Sequence, residues 1–287
     1  MFNIDKMDVL SNVELKTDVG QSFVRMIDVM PRLIESQHLK CDEAITQAAR
    51  VSYSGGTKTT STDEGLIRYL MRHWHTSPFE MIEFKFHLKM PVFIARQWIR
   101  HRTASLNEIS GRYSIVNDEF YRPEDARAQS KTNNQGSDGL VGNEETRQFL
   151  QYLDESTALY KKYEDSINNG VSREMARIGL PLSLMTEFYW KVDLHNLYHF
   201  LRLRMDDHAQ KEIRDIASAI FEYVKQVCPI SSQAFLDYRM GNVSLSRLEV
   251  EAIKGKLSPE SIKNKRERGE FIEKCKILGI ESHPESN

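Results

Sequence analysis

The spacing of apolar residues changes from a helical to a strand-like period in the first third of the chain. Residues 62–75 combine an acidic first turn with one apolar helical face, which predicts an amphipathic helix. That face consists of Leu66, Ile67, Leu70, Met71 and Trp74. From Ile82 to Met90, apolar residues alternate with polar ones, which predicts a half-buried strand in an antiparallel sheet.

Helices separated by polar connections are expected after this strand. Residues 91–102 begin with a proline and repeat apolar residues at helical spacing, so we expect a helix that ends in three basic residues. Residues 103–114 are mostly small and polar and predict a loop. The Gly- and Asn-rich stretch 126–145 predicts a mobile loop, and a long helix is expected to follow it and end before Gly170.

The second half of the chain predicts a strand and two amphipathic helices. Residues 186–192 predict a short strand, and Asp193 is expected to cap the helix that follows. The apolar face of that helix consists of Leu194, Leu197, Leu201 and Met205. Its polar face carries His195, His199, Arg202 and, near its end, His208. Apolar residues at helical spacing predict a further helix over 209–226.

Together these elements predict an α+β fold with an antiparallel sheet flanked by helices. We expect residues 1–240 to form a single domain, and residues 241–287, rich in Lys and Glu, to form a charged helical extension. The chain contains no GxGxxG sequence, so a Rossmann domain is not expected.

Composition narrows the classes of function. The 287 residues carry a formal net charge of -2, so no global field attracts nucleic acid or a membrane surface. Three widely spaced cysteines, Cys41, Cys228 and Cys275, indicate neither a zinc site nor a redox pair. The chain lacks a signal-peptide pattern and any apolar run of about 18 residues. We therefore expect a cytoplasmic protein with no bound metal.

Candidate chemistry is densest between Gln97 and Tyr113. Three arginines in this segment can donate planar, bidentate hydrogen bonds to phosphate oxygens. They are interspersed with His101, Ser105, Asn107, Glu108 and Ser110. A carboxylate is a poor neighbour for phosphate, so Glu108 suggests a sugar or ring NH contact and therefore a nucleotide. The alternative is a surface ion-pair network of little energetic value.

The same segment resembles the RHRxxSxNExSxR signature of flavin-dependent thymidylate synthases at every specified position, from Arg100 to Arg112. Further blocks look like those of that family over roughly residues 20–240. They are AARVSY at 48–53, HTSPFE at 75–80, IARQW at 94–98, REMARIGLP at 173–181 and LRMDDHAQ at 203–210.

The resemblance implies an obligate homotetramer of mixed α/β subunits, with ligands bound at subunit interfaces. FAD, reduced by NADPH, would supply reducing equivalents, and methylenetetrahydrofolate would supply the carbon that converts dUMP to dTMP. The protein's part would be to hold the flavin ring against the pyrimidine and stabilise the electron shifts with positioned charges. Residues 1–240 would then be the catalytic domain.

Matched by position, the deoxyuridylate site would comprise Gln97, Arg100, Glu108, Ile109, Ser110, Gly111, Arg112, Arg177 and Arg204. Arg204 is the implied catalytic residue, since a cation beside the uracil ring favours ionisation at N3. Alternatively, Arg204 pairs with Asp206 or Asp207 on the surface. Ser110 has no sequence-adjacent base and is expected to be a ligand, with a nucleophile as the minority hypothesis.

The FAD positions of the family correspond to Ser77, Arg100, His101, Arg102, Glu108, Asp193, His195 and His199. The sequence departs from one common version of the family, which carries Asn-x-Arg and Asn where this chain has Asp193, His195 and His199. These histidines alternatively form a solvated helix face or, with His208, a zinc site. His75 is expected near the folate or nicotinamide, or else is a histidine at a helix end.

Three rival functions remain at this stage. A nucleic-acid-binding module would use the arginines on phosphates and Tyr113 on a base, but the chain is nearly neutral. A relative without catalysis would keep only ligand binding, although every signature position is present. The folate-only thymidylate synthases need a cysteine after proline, whereas Cys228 here precedes Pro229.

Overall fold

A five-stranded antiparallel sheet forms the centre of the fold. The computed structural model describes residues 14–17, 19–31, 40–52, 62–131 and 135–280. The strands are β1 (Glu14–Lys16), β2 (Phe23–Met30), β3 (Glu83–Pro91), β4 (Ser105–Glu108), β5 (Arg127–Gln129), β6 (Ser137–Leu140) and β7 (Met185–Asp193). The sheet has the order β1-β2-β3-β7-β4, while β5 and β6 pair separately as a two-stranded sheet.

Helices account for most of the remaining described chain. In the first half they are α1 (Lys40–Arg50), α2 (Asp63–Arg72), α3 (Ser77–Glu80), α4 (Val92–Trp98), α5 (Asn143–Thr157) and α6 (Leu159–Asn168). In the second half they are α7 (Arg173–Ala176), α8 (Leu194–Arg204), α9 (Lys211–Val227), α10 (Pro229–Phe235), α11 (Arg247–Ile253) and α12 (Lys265–Leu278). Residues Arg177–Gly179 and Pro259–Ser261 form 3-10 turns, and Leu236–Met240 form a π-helix.

The core lies between one face of the sheet and the helices packed on it. The period-two pattern of β3 is confirmed, because Ile82, Phe84, Phe86, Leu88 and Met90 are all fully buried. Along α9, the predicted apolar residues Ile213, Ile216, Ile220 and Val224 are also fully buried. Trp98, Trp190 and Phe200 join α4, β7 and α8 in one aromatic cluster with ring centroids 4.3–5.2 Å apart. This cluster joins α4 and α8, which carry site residues, to each other and to β7.

Four local expectations are corrected. Helix α2 ends at Arg72, so Trp74 lies beyond it and is 59% exposed rather than part of its apolar face. Helix α4 ends at Trp98, and the three basic residues follow it instead of closing it. The expected loop 103–114 contains strand β4, and the expected loop 126–145 contains β5 and β6. In the two expected loops, backbone pairing between strands orders segments whose side chains show no periodic spacing of apolar residues.

The expected long helix before Gly170 is present as two consecutive helices, α5 and α6, joined at Ala158. Gly170 then adopts a φ of 91°, a left-handed conformation that favours glycine. The described chain divides into two compact units, Met1–Met240 and Gly241–Asn287. The second unit has a small core of its own, formed by Ala252, Ile262, Phe271 and Cys275. Within the described ranges, no helix has both the length and the apolar composition needed to cross a bilayer.

Candidate active site

Arg204, the last residue of α8, is half-buried and held by two acceptors near the end of α4. Its Nε donates to Nε2 of His101 over 3.1 Å, and a terminal nitrogen donates to the Gln97 carbonyl over 3.4 Å. The carboxylates expected as alternative partners are engaged elsewhere. Asp206 accepts hydrogen bonds from His208, and Asp207 pairs with Arg214. The surface ion pair proposed as an alternative for Arg204 is therefore wrong.

The partner of Arg204 is a neutral imidazole. Burial lowers the pKa of His101 from 6.5 to about 4, and the electrostatic influence of Arg204 and of the neighbouring His199 side chain acts in the same direction. An imidazole that accepts at Nε2 must carry its proton on Nδ1. Burial also lowers the pKa of Arg204, which remains protonated near neutrality because its ordinary pKa is so high. The pair therefore places one cation beside a neutral acceptor, and no carboxylate of the described residues is bonded to that cation.

A surface pocket of about 590 Å³ opens beside this pair. Its lining includes Arg100, His101, Arg102, His199 and Arg204. Arg100 and Arg102 are both exposed. Across the described part of the chain, no carboxylate within salt-bridge distance of either arginine is found. Such a pocket can accept an anion without first breaking an ion pair.

Strand β4 places the signature segment against β7. Glu108 accepts a hydrogen bond from Thr186 over 2.6 Å, and the Ile109 amide donates to the Glu187 carbonyl over 2.9 Å. Gly111 is buried, and a Cβ there would lie 3.0 Å from Val116 and 3.4 Å from the Arg177 side chain. Arg177 therefore lies against the loop that contains Ser110 and Arg112, as a shared anion site requires.

Ser110 lacks the surroundings of an activated nucleophile. Its Oγ accepts a hydrogen bond from the Arg112 amide over 3.4 Å. No other described residue contacts that oxygen as a hydrogen-bond partner, so no general base is in place. This geometry favours the role of an anion or sugar ligand.

Gln210 is a site neighbour to which sequence reasoning assigned no role. Its Oε1 accepts from Nε2 of Gln97 over 2.6 Å, and it is the N-cap residue of α9. This hydrogen bond sets the orientation of the Gln97 amide. The sequence feature that could have pointed to Gln210 is its position as the last residue of the LRMDDHAQ block, seven residues after Leu203.

Helix α8 carries a second group of expected site residues. Asp193 caps the helix as expected, accepting from the Asn196 amide over 2.9 Å and from its side chain over 2.7 Å. A second pocket is lined by His75, His195 and His199, so His199 faces both pockets. Ser77 begins α3 and is exposed, and it lines neither pocket.

Comparison with known proteins decides the family. Residues 32–230 match the family model described as thymidylate synthase complementing protein. The chain is 55% identical to the flavin-dependent thymidylate synthase of Dictyostelium discoideum over 257 residues, covering 89% of this chain and 84% of that protein. The flavin-dependent thymidylate synthase of Wolbachia pipientis is 44% identical to this chain over 278 residues, and the alignment covers 94% of each protein. The chain belongs to the flavin-dependent thymidylate synthase family.

A solved structure shares the fold. The UMP/dUMP methylase PolB of Streptomyces cacaoi, bound to 5-Br dUMP, aligns with a TM-score of 0.67 at 29% identity. The alignment covers 77% of this chain and 97% of PolB. Recognition of the family from the arginine-rich signature is thus confirmed, and so is the antiparallel sheet with helices. The folate-only alternative is wrong, and family membership weighs against a nucleic-acid-binding module.

The zinc alternative is also unsupported by geometry. In the part of the chain that the structure describes, no group of three or more His, Cys, Asp or Glu side chains is arranged to hold a metal ion. His208 bonds to Asp206 rather than facing His195 and His199. The two histidines instead line a pocket together with His75.

Proposed function

We propose that the protein converts dUMP to dTMP, with FAD as its cofactor and with NADPH and methylenetetrahydrofolate as co-substrates. The observation that carries this proposal is the position of Arg204. Its guanidinium is held by uncharged acceptors next to a pocket rich in arginine, in a chain of the flavin-dependent thymidylate synthase family. Such an arrangement stabilises negative charge on a bound ring.

The dUMP site is proposed to use two groups of residues. Arg177 and the loop from Glu108 to Arg112 offer guanidinium, hydroxyl and backbone donors for the phosphate and sugar. Gln97, Arg100 and Arg204 would contact the pyrimidine side. There Arg204 favours loss of the N3 proton, which raises the electron density at C5 without a covalent enzyme nucleophile.

The residues present fit a dinucleotide flavin. Arg100 and Arg102 are exposed cations suited to a pyrophosphate, and His101, His195 and His199 add ring nitrogens around the same two pockets. We assign these residues, with Ser77, Glu108 and Asp193, to FAD. The flavin supplies the redox chemistry when bound. Because the Asp193 carboxylate already accepts two bonds from Asn196, its part would be mainly to fix the start of α8.

A homotetramer with shared sites is part of the proposal. Large apolar side chains are exposed on both sides of the signature loop, at Ile109, Tyr113 and Ile115, and on the neighbouring segment at Ile178 and Leu182. An apolar surface beside a charged ligand site is typical of a subunit interface. Residues of a second subunit would then complete each site.

The test begins with the absorbance spectrum of the purified protein, reconstituted with FAD where colourless. Anaerobic addition of NADPH should bleach the flavin, and more strongly with dUMP present than without it. Addition of methylenetetrahydrofolate and dUMP should then yield dTMP. A protein that binds no FAD, or whose reduced form yields no dTMP, contradicts the proposal.

A further inference from the structure

Two unusual backbone conformations meet beside the second pocket. Trp74 has a φ of 60°, a left-handed conformation that is costly for an aromatic residue. Residues Leu236–Met240 form a π-helix, a rare element that is frequent at functional sites. The two are in contact, because the Arg239 guanidinium lies 3.3 Å from the centre of the Trp74 ring and donates to the Met71 carbonyl.

This contact brings two arginines to one cavity. Arg239 and Arg202, which lies on the polar face of α8, both line the pocket that contains His75 and His199. Burial lowers the pKa of Arg239, and the charge of Arg202 lowers it further. Neither arginine pairs with a carboxylate of the described chain, since the adjacent Asp237 binds Arg68 instead. Among the described residues, two cations therefore line one cavity without a paired carboxylate.

The rest of the cavity is apolar. Leu70, Phe79 and Phe235 line it, and the exposed Trp74 ring forms part of its wall. An aromatic wall next to two arginines suits a ligand that joins a flat ring to an anionic group. His75, expected near folate or nicotinamide, follows Trp74 directly and lines the same cavity.

We propose that Arg202 and Arg239 bind the anionic end of a co-substrate whose ring lies against Trp74. This inference rests on the proposed function and assigns it two new binding residues. Two co-substrates have the required chemistry: the folate through its glutamate carboxylates, and NADPH through its 2′-phosphate. The anionic contacts of FAD are assigned to Arg100 and Arg102, which line the other pocket, and FAD is proposed to reach this cavity only through His195 and His199.

The principal variants are Arg202→Gln and Arg202→Glu. Arg202 is exposed and makes no hydrogen bond within the described chain, so its replacement leaves the fold intact. The matched control is Arg72→Gln, which removes an exposed arginine that contacts Tyr238 and does not line the cavity. Arg202→Lys keeps the charge and should restore most of the binding.

The KM values of methylenetetrahydrofolate and of NADPH should be measured separately, by steady-state kinetics on the FAD-loaded protein. Loss of one charge-assisted hydrogen bond predicts a rise of about tenfold in the KM of the ligand that binds here. Calorimetric titration of the same protein with folic acid and with NADPH should show a matching loss of affinity. A change confined to the folate assigns its carboxylates, and a change confined to NADPH assigns its phosphate.

The inference is overturned when both co-substrates bind Arg202→Glu as they bind the wild type, or when FAD affinity falls instead. An equal effect of Arg72→Gln overturns it too, because a general loss of positive charge would then explain the result. Failure of the proposed function is seen separately, as a wild-type protein that forms no dTMP. In that case, calorimetric titration with folic acid and with NADPH still measures whether Arg202 contributes to binding either ligand.

Discussion

At the scale of single residues, the site depends on contacts between positions far apart in the chain. His101 and Arg204 are separated by 103 positions, and Gln97 and Gln210 by 113. The family-like sequence blocks predict that His101 and Gln97 contact ligands, but they contain no signal that these residues also hold Arg204 and Gln210. These contacts form where α4 and the residues just after it meet the end of α8 and the start of α9, and no local sequence pattern records that arrangement.

Arg204→Gln tests the catalytic assignment. The variant keeps a hydrogen-bond donor but loses the positive charge that stabilises the ionised pyrimidine, so dTMP formation should fall by about a hundredfold. FAD affinity should change little, because the arginines assigned to the flavin anion are untouched. The measurement is kcat together with the FAD dissociation constant, and Arg214→Gln on the nearby surface is the control. Full activity of Arg204→Gln would contradict the assignment.

Ser110→Ala tests the minority hypothesis of a nucleophile. Since no described base contacts the Ser110 oxygen, we expect the variant to retain turnover and to show a KM for dUMP raised a few-fold. The check is a comparison of kcat and KM with those of the wild type. Abolished kcat with intact FAD and dUMP binding would instead support covalent catalysis by this serine.

His101 makes stability depend on pH. Its pKa is about 4 in the folded protein and 6.5 ordinarily, so below pH 6.5 the unfolded chain takes up a proton that the folded chain does not. The stabilisation is fully present above pH 6.5 and is lost as pH falls towards 4. Glutamine at position 101 cannot titrate, so the variant His101→Gln lacks this pH dependence. As pH falls from 6.5 towards 4, the free energy of unfolding of the wild type should therefore decrease relative to that of the variant. Urea titrations at several pH values measure this difference, and a constant difference would contradict the prediction.

At the scale of elements, the regular spacing of apolar residues decided which strands and helices could be predicted from the sequence. Strand β3 and helix α9 were foreseen because each inward position is apolar and buried. Strand β4, with the sequence SLNE, is exposed at every residue and is held by backbone pairing to β7. An edge strand of this kind carries no alternation, so the sequence predicted a loop.

The cap at Asp193 links an element to the site, because α8 carries His195, His199 and Arg204. Asp193→Ala removes the acceptor for the Asn196 amide and should lower the free energy of unfolding by about 1 kcal/mol. Asp193→Asn, the residue found in one common version of the family, keeps the cap and should lose much less. Thermal or chemical denaturation of both variants measures the difference. Equal loss in the two variants would show that the charge of Asp193, and not its capping bond, stabilises the helix.

At the scale of the whole molecule, the residues assigned to dUMP fall into two groups of contacting residues within one protomer. Arg177 is beside Gly111, and Arg204 is beside His101. Within the described residues, no hydrogen bond or ion pair links these two groups. The family-like sequence blocks predict which residues bind the nucleotide, but they contain no signal for whether one subunit or two supply these residues, since that depends on assembly. We propose that each site takes these two groups from different subunits, an arrangement that requires no bond between them within one protomer.

Mixed assembly tests this division directly. Arg177→Gln and Arg204→Gln should each be nearly inactive alone, and light scattering should give a mass of four times 33.4 kDa. When the two variants are co-expressed in equal amounts and each site takes Arg177 and Arg204 from different subunits, about a quarter of the sites regain both arginines. Activity should then return to about a quarter of the wild-type value, whereas mixing the separately purified variants without exchange should restore none. Sites formed within single subunits would leave the co-expressed protein as inactive as its parents, because no subunit would contain both arginines.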